Sequence, residues 1–307
     1  MTFGSLQRWL GVLQQQGETA LVQQIEKQRV AQLTPSPALR WSQGELTFER
    51  PQIMGVVNVT PDSFSDGGRY LNQQSALEHA LSLVEAGADI LDIGGESTRP
   101  GAAPVSEEEE LARVVPVIAA LTKYVSIPIS IDTTKVTVAK AALQAGATIL
   151  NDVAALATPG MTQLAAQRAC PVILMHKQGN PQTMQVSPCY QQVVVEVYDF
   201  LEKRLTMARE AGIQQVVVDP GIGFGKNSNH NMALIRHLRS FRGLGVPILL
   251  GVSRKRLVGE LTGEPQAHKR DMGSHTLAAL GYGWGADIVR VHDVVGARQA
   301  LRVAAAF

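Results

Sequence analysis

From residue 53 onward, short apolar runs alternate with longer amphipathic segments. The runs are Ile53–Val57, Ala88–Ile93, Ile127–Ile131, Thr148–Leu150, Pro171–Met175, Gln215–Val218, Val246–Leu250 and Asp287–Val291. The first is β-branched and compact, as a strand buried on both faces should be. Between the runs lie segments of helical length, such as Ser75–Ala86, Ser106–Leu121, Thr134–Ala145, Tyr190–Ala211 and Met272–Trp284. Gly87, Gly146 and Gly212 each stand just past such a segment, where a helix commonly ends on a residue with positive φ. Ser106 followed by Glu107-Glu108-Glu109-Glu110 supplies a cap and acids to a first turn. Eight strands, each followed by a helix or room for one, predict a closed parallel (β/α)8 TIM barrel. A doubly wound open sheet usually has fewer strands, and its glycine fingerprint is absent after the first run.

Residues 1–50 follow another pattern. Leu6, Trp9, Leu10, Val12, Leu13, Leu21, Val22 and Ile25 recur at helical spacing among Gln and Glu. They predict a helical extension packed outside a barrel of residues 51–307. Pro35-Ser36-Pro37 ends it, and Trp41–Arg50 reads as a small hairpin turning at Gln43-Gly44.

Composition narrows the function only slightly. Of 307 residues, 45% are hydrophobic and 18% charged, and the net charge of +1 gives no global basic field for nucleic acid or a membrane surface. Cys170 and Cys189 lack metal-ligand or disulfide-framework spacing, so reduced thiols in a cytoplasmic protein are expected. No apolar stretch is long enough for a bilayer, and the N-terminus lacks the order of a secretory signal.

The strand ends carry the chemistry, because barrels place function there. In order they give Asn58; Asp92; Asp132-Thr133; Asn151-Asp152; Met175-His176-Lys177; Asp219; Gly251-Val252-Ser253-Arg254-Lys255; and Arg290-Val291-His292. Thr133 and Asp152 need do no more than cap. Asp92, Asp132, Asn151 and Asp219 come from different strands and would converge on one mouth, where they need a metal, a cation or a ligand rich in N–H donors. Arg99, Lys255, Arg290 and His292 suit an anion, and the last two barrel loops are frequent phosphate sites. An acidic throat below a cationic lip fits a nitrogen heterocycle with a phosphate or diphosphate arm. The long first loop, with Phe64 between Asp62 and Asp66, reads either as a flap over the site or as a turn whose ring packs back on the core.

Seven motifs, one after another along the rim, resemble the dihydropteroate synthase family. They are NVTPDSFSDGG (58–68), DIGGESTRPGA (92–102), SIDTTK (130–135), ILNDV (149–153), DPGIGFGK (219–226), GVSRK (251–255) and RVHDV (290–294). The resemblance covers about residues 50–307. It implies condensation of 7,8-dihydropterin-6-ylmethyl diphosphate with 4-aminobenzoate, giving 7,8-dihydropteroate and pyrophosphate. It also implies that Asp132, Asn151, Asp219 and Lys255 hold the pterin, with Met175 near its ring. Asn58 would coordinate Mg²⁺ on the diphosphate, and Thr98, Arg99, Arg290 and His292 would bind its oxygens. Phe64, Pro100, Phe224 and Ser253 would shape the aminobenzoate pocket, where sulfonamides would compete. Asp66 would stabilise a cationic intermediate as the first two loops close, and a homodimer is the expected assembly.

Three departures from the family's usual pattern stand out. Ile222 occupies a position where an aromatic is common, Lys177 one where an apolar residue is usual, and residues 1–50 have no counterpart. A methyltetrahydrofolate-dependent methyltransferase on the same barrel should lack Phe64, the Ser253–Lys255 triplet and the Arg290–His292 pair. A non-catalytic pterin-binding paralogue should have lost Asn58, Arg99 or His292. All are present.

Overall fold

The computed structural model describes residues 3–60, 69–97, 104–179 and 184–307. Helices α1 (Phe3–Gln15) and α2 (Thr19–Leu33) come first, then an antiparallel hairpin of β1 (Leu39–Trp41) and β2 (Gly44–Leu46). The alternating part runs β3 (Gln52–Asn58), α3 (Arg69–Ala86), β4 (Ile90–Gly94), α4 (Glu107–Leu121), β5 (Ile129–Asp132) and α5 (Val136–Ala145). It continues through β6 (Ile149–Asp152), α6 (Met161–Arg168), β7 (Val172–Met175), α7 (Val193–Glu210), β8 (Val216–Asp219) and α8 (Ser228–Arg236). Strand β9 (Leu249–Leu250), α9 (Arg256–Thr262), α10 (Asp271–Gly283), β10 (Ile288–Val291) and α11 (Val294–Ala304) complete it.

Strands β3 to β8 pair in parallel with their sequence neighbours, and β10 lies between β3 and β9. A single parallel bridge, Val218 to Ile248, joins β8 to the β9 side and closes the ring. This is the TIM barrel that the alternation predicts. The helix signals act as read: Ser106 Oγ accepts the Glu109 N–H at 3.2 Å, and Gly146 ends α5 at φ +113°. Helix α3 begins at Arg69, earlier than the expected Ser75, because Asn72-Gln73-Gln74 carries no apolar spacing to mark it.

Two apolar layers hold the barrel. Outward-facing strand residues such as Leu91, Ile93, Ile131, Leu150, Leu174 and Val218 pack under the helices. Inside, Met54, Ile90, Ile149, Ile173, Val217, Leu249 and Ile288 form one ring near the strand starts. The hairpin plugs the ring from below: Leu39 is 2% exposed against it, with Leu46 and Phe48 alongside. Gln215 Nε2 donates to the Arg40 carbonyl at 3.0 Å, and Ser36 Oγ to Asp287 Oδ2 at 3.0 Å, tying the hairpin region to strand starts. Its strands meet at a turn over Ser42-Gln43, close to the expected place. Helix α2 lies outside the barrel on the 3₁₀ segment Leu238–Leu244, where Gln28 neighbours Gly243.

Candidate active site

Strand side chains alternate between faces, so two residues past the interior apolar ring the chain again points inward. Those positions hold Val56, Asp92, Asn151, Met175, Asp219, Gly251 and Arg290, and Asp132 pairs in register with Asn151. The throat above the plug is therefore polar, with Asp92 wholly buried and Asn151 and Asp219 each 6% exposed. Buried carboxylates need partners. Arg290 supplies two: its Nε donates to Asp92 Oδ2 at 2.6 Å and its Nη2 to Asp132 Oδ2 at 3.0 Å. Asn151 Nδ2 donates to both oxygens of Asp92, at 3.1 and 3.3 Å. Arg290 thus reaches into the acidic throat rather than standing apart at the lip, which corrects the expected division into an acidic half and an anion-binding half.

The electrostatics are those of a crowded, desolvated mouth. Burial, reinforced by Asp92 and opposed by Arg290, pushes Asp132 up to about 7. Burial also raises Asp219, against the pull of Lys255 and the Gly221 N–H, which donates to Asp219 Oδ1 at 2.7 Å. Lys255 is pushed down to about 8 by burial, with Asp219 working the other way. Its ammonium donates to the Ile222 carbonyl at 2.5 Å and lies 4.6 Å from the Phe224 ring centroid. Gly251 leaves a gap among these groups. A Cβ there would sit 3.7 Å from Lys255 Nζ, 3.9 Å from Arg290 Cβ and 4.0 Å from Asp219 Oδ2.

Ser253 and His292 meet at the lip, Oγ to Nδ1 at 2.9 Å, and the His292 N–H donates to Ser253 Oγ at 3.2 Å. Between Ser253 and Lys255, Arg254 takes φ +58°, a left-handed conformation that costs a non-glycine residue energy. Asp271 holds it there by accepting from Nε at 2.7 Å and Nη2 at 2.8 Å, while Ser274 Oγ accepts the Arg254 N–H at 2.9 Å. Asn58 ends β3 opposite Gly94, where a Cβ would lie 3.9 Å from both Asn58 Oδ1 and Asp132 Oδ2. Lys135 bridges Glu96 and the buried Glu110, and Glu96 Oε1 accepts the Val105 N–H at 3.2 Å. Phe64, Asp66, Thr98, Arg99 and Pro100 lie outside the described residues.

The sequence profile of the family described as "Pterin binding enzyme" matches residues 54–292, from the interior residue Met54 to the rim residue His292. The dihydropteroate synthase of Neisseria meningitidis serogroup B is 50% identical over 273 residues, spanning 86% of this chain and 95% of that one. That of Escherichia coli K12 is 45% identical over 260 residues, 84% and 92% of the two chains. The chain belongs to the dihydropteroate synthases. A solved dihydropteroate synthase of Xanthomonas albilineans with 4-aminobenzoic acid matches at TM-score 0.84 and 48% identity, over 88% of this chain and 98% of that one. The Xanthomonas albilineans structure in complex with 7,8-dihydropteroate matches at 0.81 and 45%, with the same coverage.

Some parts of this dihydropteroate synthase barrel escape a reading of strand ends. Lys226 and His176 form a buried pair behind the β8–α8 loop, Nζ to Nδ1 at 2.8 Å. The only sequence signal is a lysine closing the glycine-rich run 219–226. Thr133 and Asp152 do not cap the next helices, whose first turns have no side-chain cap, but tie down the loops after their strands: Thr133 Oγ1 accepts from Lys135 N at 3.2 Å, and Asp152 from Ala154 N at 2.7 Å and Leu156 N at 2.8 Å. The Ile222 side chain is fully buried in the outer apolar layer. Lys177 acts electrostatically on Asp152. Asp152 follows Asn151 on β6 and so points away from the throat.

Proposed function

We propose that the chain joins 7,8-dihydropterin-6-ylmethyl diphosphate to 4-aminobenzoate, releasing pyrophosphate and forming 7,8-dihydropteroate for folate synthesis. One observation carries the reading. Asp219, Lys255 and Arg290 converge on the space left by Gly251, with Arg290 in turn bonded to Asp92 and Asp132. A flat heterocycle with N–H donors along one edge and ring acceptors along another satisfies that set of groups. A ring lacking those atoms would leave buried polar groups unpaired, which is strongly disfavoured.

In this reading Asp132, Asn151, Asp219 and Lys255 grip the pterin, and Met175, 3% exposed, packs near its ring. Asp92 orients Asn151 and Arg290. Arg290 keeps Nη1 and part of Nη2 for the diphosphate, joined by His292, Thr98 and Arg99. Phe224 and Ser253, with Phe64 and Pro100, bound the aminobenzoate pocket, where a sulfonamide competes. Aminobenzoate is a neutral aniline nucleophile, so positioning serves it more than a general base does. The electron-rich dihydropterin supports positive charge at the methylene as the diphosphate leaves, and Asp66 on the first loop would stabilise that charge. Closure of the first two loops would keep water from capturing the cation.

The residues fit a Mg²⁺ ion carried mainly by the diphosphate. Among the described residues no group of three or more His, Cys, Asp or Glu could form a metal cage. Asn58 offers a hard oxygen at the rim, and Mg²⁺ is commonly held by one or two protein oxygens plus substrate phosphates. When bound, the ion would neutralise charge developing on the leaving diphosphate. A homodimer is the assembly carried over from the family. Among the described residues no helix is long and apolar enough to cross a membrane.

The test is pyrophosphate release by purified protein with Mg²⁺ and both substrates. Turnover that disappears in Lys255→Ala supports the reading. No turnover with both substrates saturating would overturn it.

A further inference from the structure

Lys226 is 2% exposed, among the largest wholly buried side chains of the described residues, and no step above uses it. Its ammonium lies 2.8 Å from His176 Nδ1, 2.9 Å from the Gly221 carbonyl, 3.0 Å from the Phe224 carbonyl and 3.3 Å from the His176 carbonyl. His176 is the neutral acceptor in this pair: burial and Lys226 hold it down to about 3, and its ring meets Phe200 edge-on at 4.9 Å. Burying an ammonium is costly unless its donors are satisfied. Here it is surrounded by acceptors, two of which belong to the loop that supplies Phe224.

The loop is braced at further points. Asn231 Oδ1 accepts the Gly223 N–H at 2.8 Å, Gln185 Nε2 donates to the Gly223 carbonyl at 2.6 Å, and Tyr190 donates to the Gly225 carbonyl at 2.9 Å. Gly221 sits so close to the His176 carbonyl that a Cβ would lie 1.8 Å from it, and its φ is +68°. Between the two carbonyls that Lys226 holds, the Ile222 carbonyl turns to Lys255, whose Cδ would lie 3.3 Å from a Cβ on Gly223. One lysine grips the loop from behind, and the other meets it at the mouth.

We propose that Lys226 is a positioning residue for the reaction: anchored on His176, it fixes the Gly221 and Phe224 carbonyls so that the Ile222 carbonyl and the Phe224 ring are presented to the Lys255 ammonium beside Asp219. The proposal rests on the pterin-holding role given to Lys255. It differs from simple structural support in its prediction for the folded variant. Support alone would lower the melting temperature and leave the folded protein's ligand affinity intact.

Lys226→Met in the full-length enzyme keeps the stem and removes the donors. The measurements are cooperative melting, calorimetric binding of 6-hydroxymethylpterin, kcat and KM for both substrates, and amide exchange at residues 221–226. The expected result is a folded variant that binds the pterin at least about tenfold more weakly, with kcat/KM down by on the order of 10- to 100-fold and faster exchange at Ile222–Phe224. A folded variant with pterin affinity and kcat/KM within about twofold of the parent overturns the proposal. Should Lys226→Met fail to fold, Tyr190→Phe loosens the same loop at one bond. A small loss of pterin affinity with faster loop exchange then supports the proposal, and no change in either overturns it. If the parent enzyme neither binds the pterin nor turns over, the functional reading falls. Loop exchange in the variant, compared with the parent, then decides whether Lys226 braces the loop.

Discussion

Gly251 is the residue whose smallness matters most to the site. Because its neighbours would stand at ordinary contact distance from a methyl group, Gly251→Ala should fold normally. The methyl would instead occupy the gap beside Lys255 and Asp219. We expect 6-hydroxymethylpterin affinity to fall at least about tenfold by calorimetry, with the melting curve unshifted. The ionisable groups make a second prediction. With Asp132 pushed up to about 7 and Lys255 down to about 8, kcat/KM should follow a narrow bell. It rises as Asp132 loses its proton and falls as Lys255 loses its own. Linkage gives the sign for stability. Asp132 holds its proton more tightly folded than unfolded, so its stabilising contribution is full below the ordinary value of 3.8 and lost as pH rises through about 7. Asp132→Asn should flatten both the acid limb and that pH dependence, as a pH–rate profile and denaturant melts at several pH values would show.

The elements explain how much of this was legible in the chain. Period-two alternation along β4, β6, β7, β8 and β10 carries inward-facing apolar residues directly to Asp92, Asn151, Met175, Asp219 and Arg290. That spacing is a local property, so sequence reveals it. The partner of Arg290 is not local: a long side chain on β10 can stay at the lip or cross to β4 and β5, and only packing decides. Lys226 was opaque for the same reason, since its acceptors come from the β7 end and from its own loop. The hairpin plug is a further case. Its short strands predict a turn, but the interior ring beneath the throat makes Leu39 a core residue. Leu39→Ala should cost about 2–5 kcal/mol in denaturant melts, the range for emptying a buried leucine site. KM for either substrate should stay unchanged, because the plug and the mouth lie at opposite ends of the barrel.

At the scale of the whole molecule, two expectations concern what joins the chain. A homodimer predicts a light-scattering mass of about twice 33.0 kDa. Removing divalent ions with EDTA should abolish pyrophosphate release and leave 6-hydroxymethylpterin binding intact, because the proposed ion travels with the diphosphate and not with the ring. Added Mg²⁺ should restore turnover.

The ring of strands is laced unevenly. Most neighbours share a ladder of register pairs, but β8 meets the β9 side through the lone Val218–Ile248 bridge, with the Val218 N–H bonded to the Pro247 carbonyl at 2.9 Å. That seam runs between the strand that ends in Asp219 and the one that leads to Lys255. With fewer bonds to break, it is where the cylinder should breathe first. The Val218 amide, whose acceptor Pro247 lies in the segment leading into β9, should therefore exchange with solvent sooner than those of β4 or β5. A ring lodged between Asp219 and Lys255 would act as a stitch across the gap and slow that exchange.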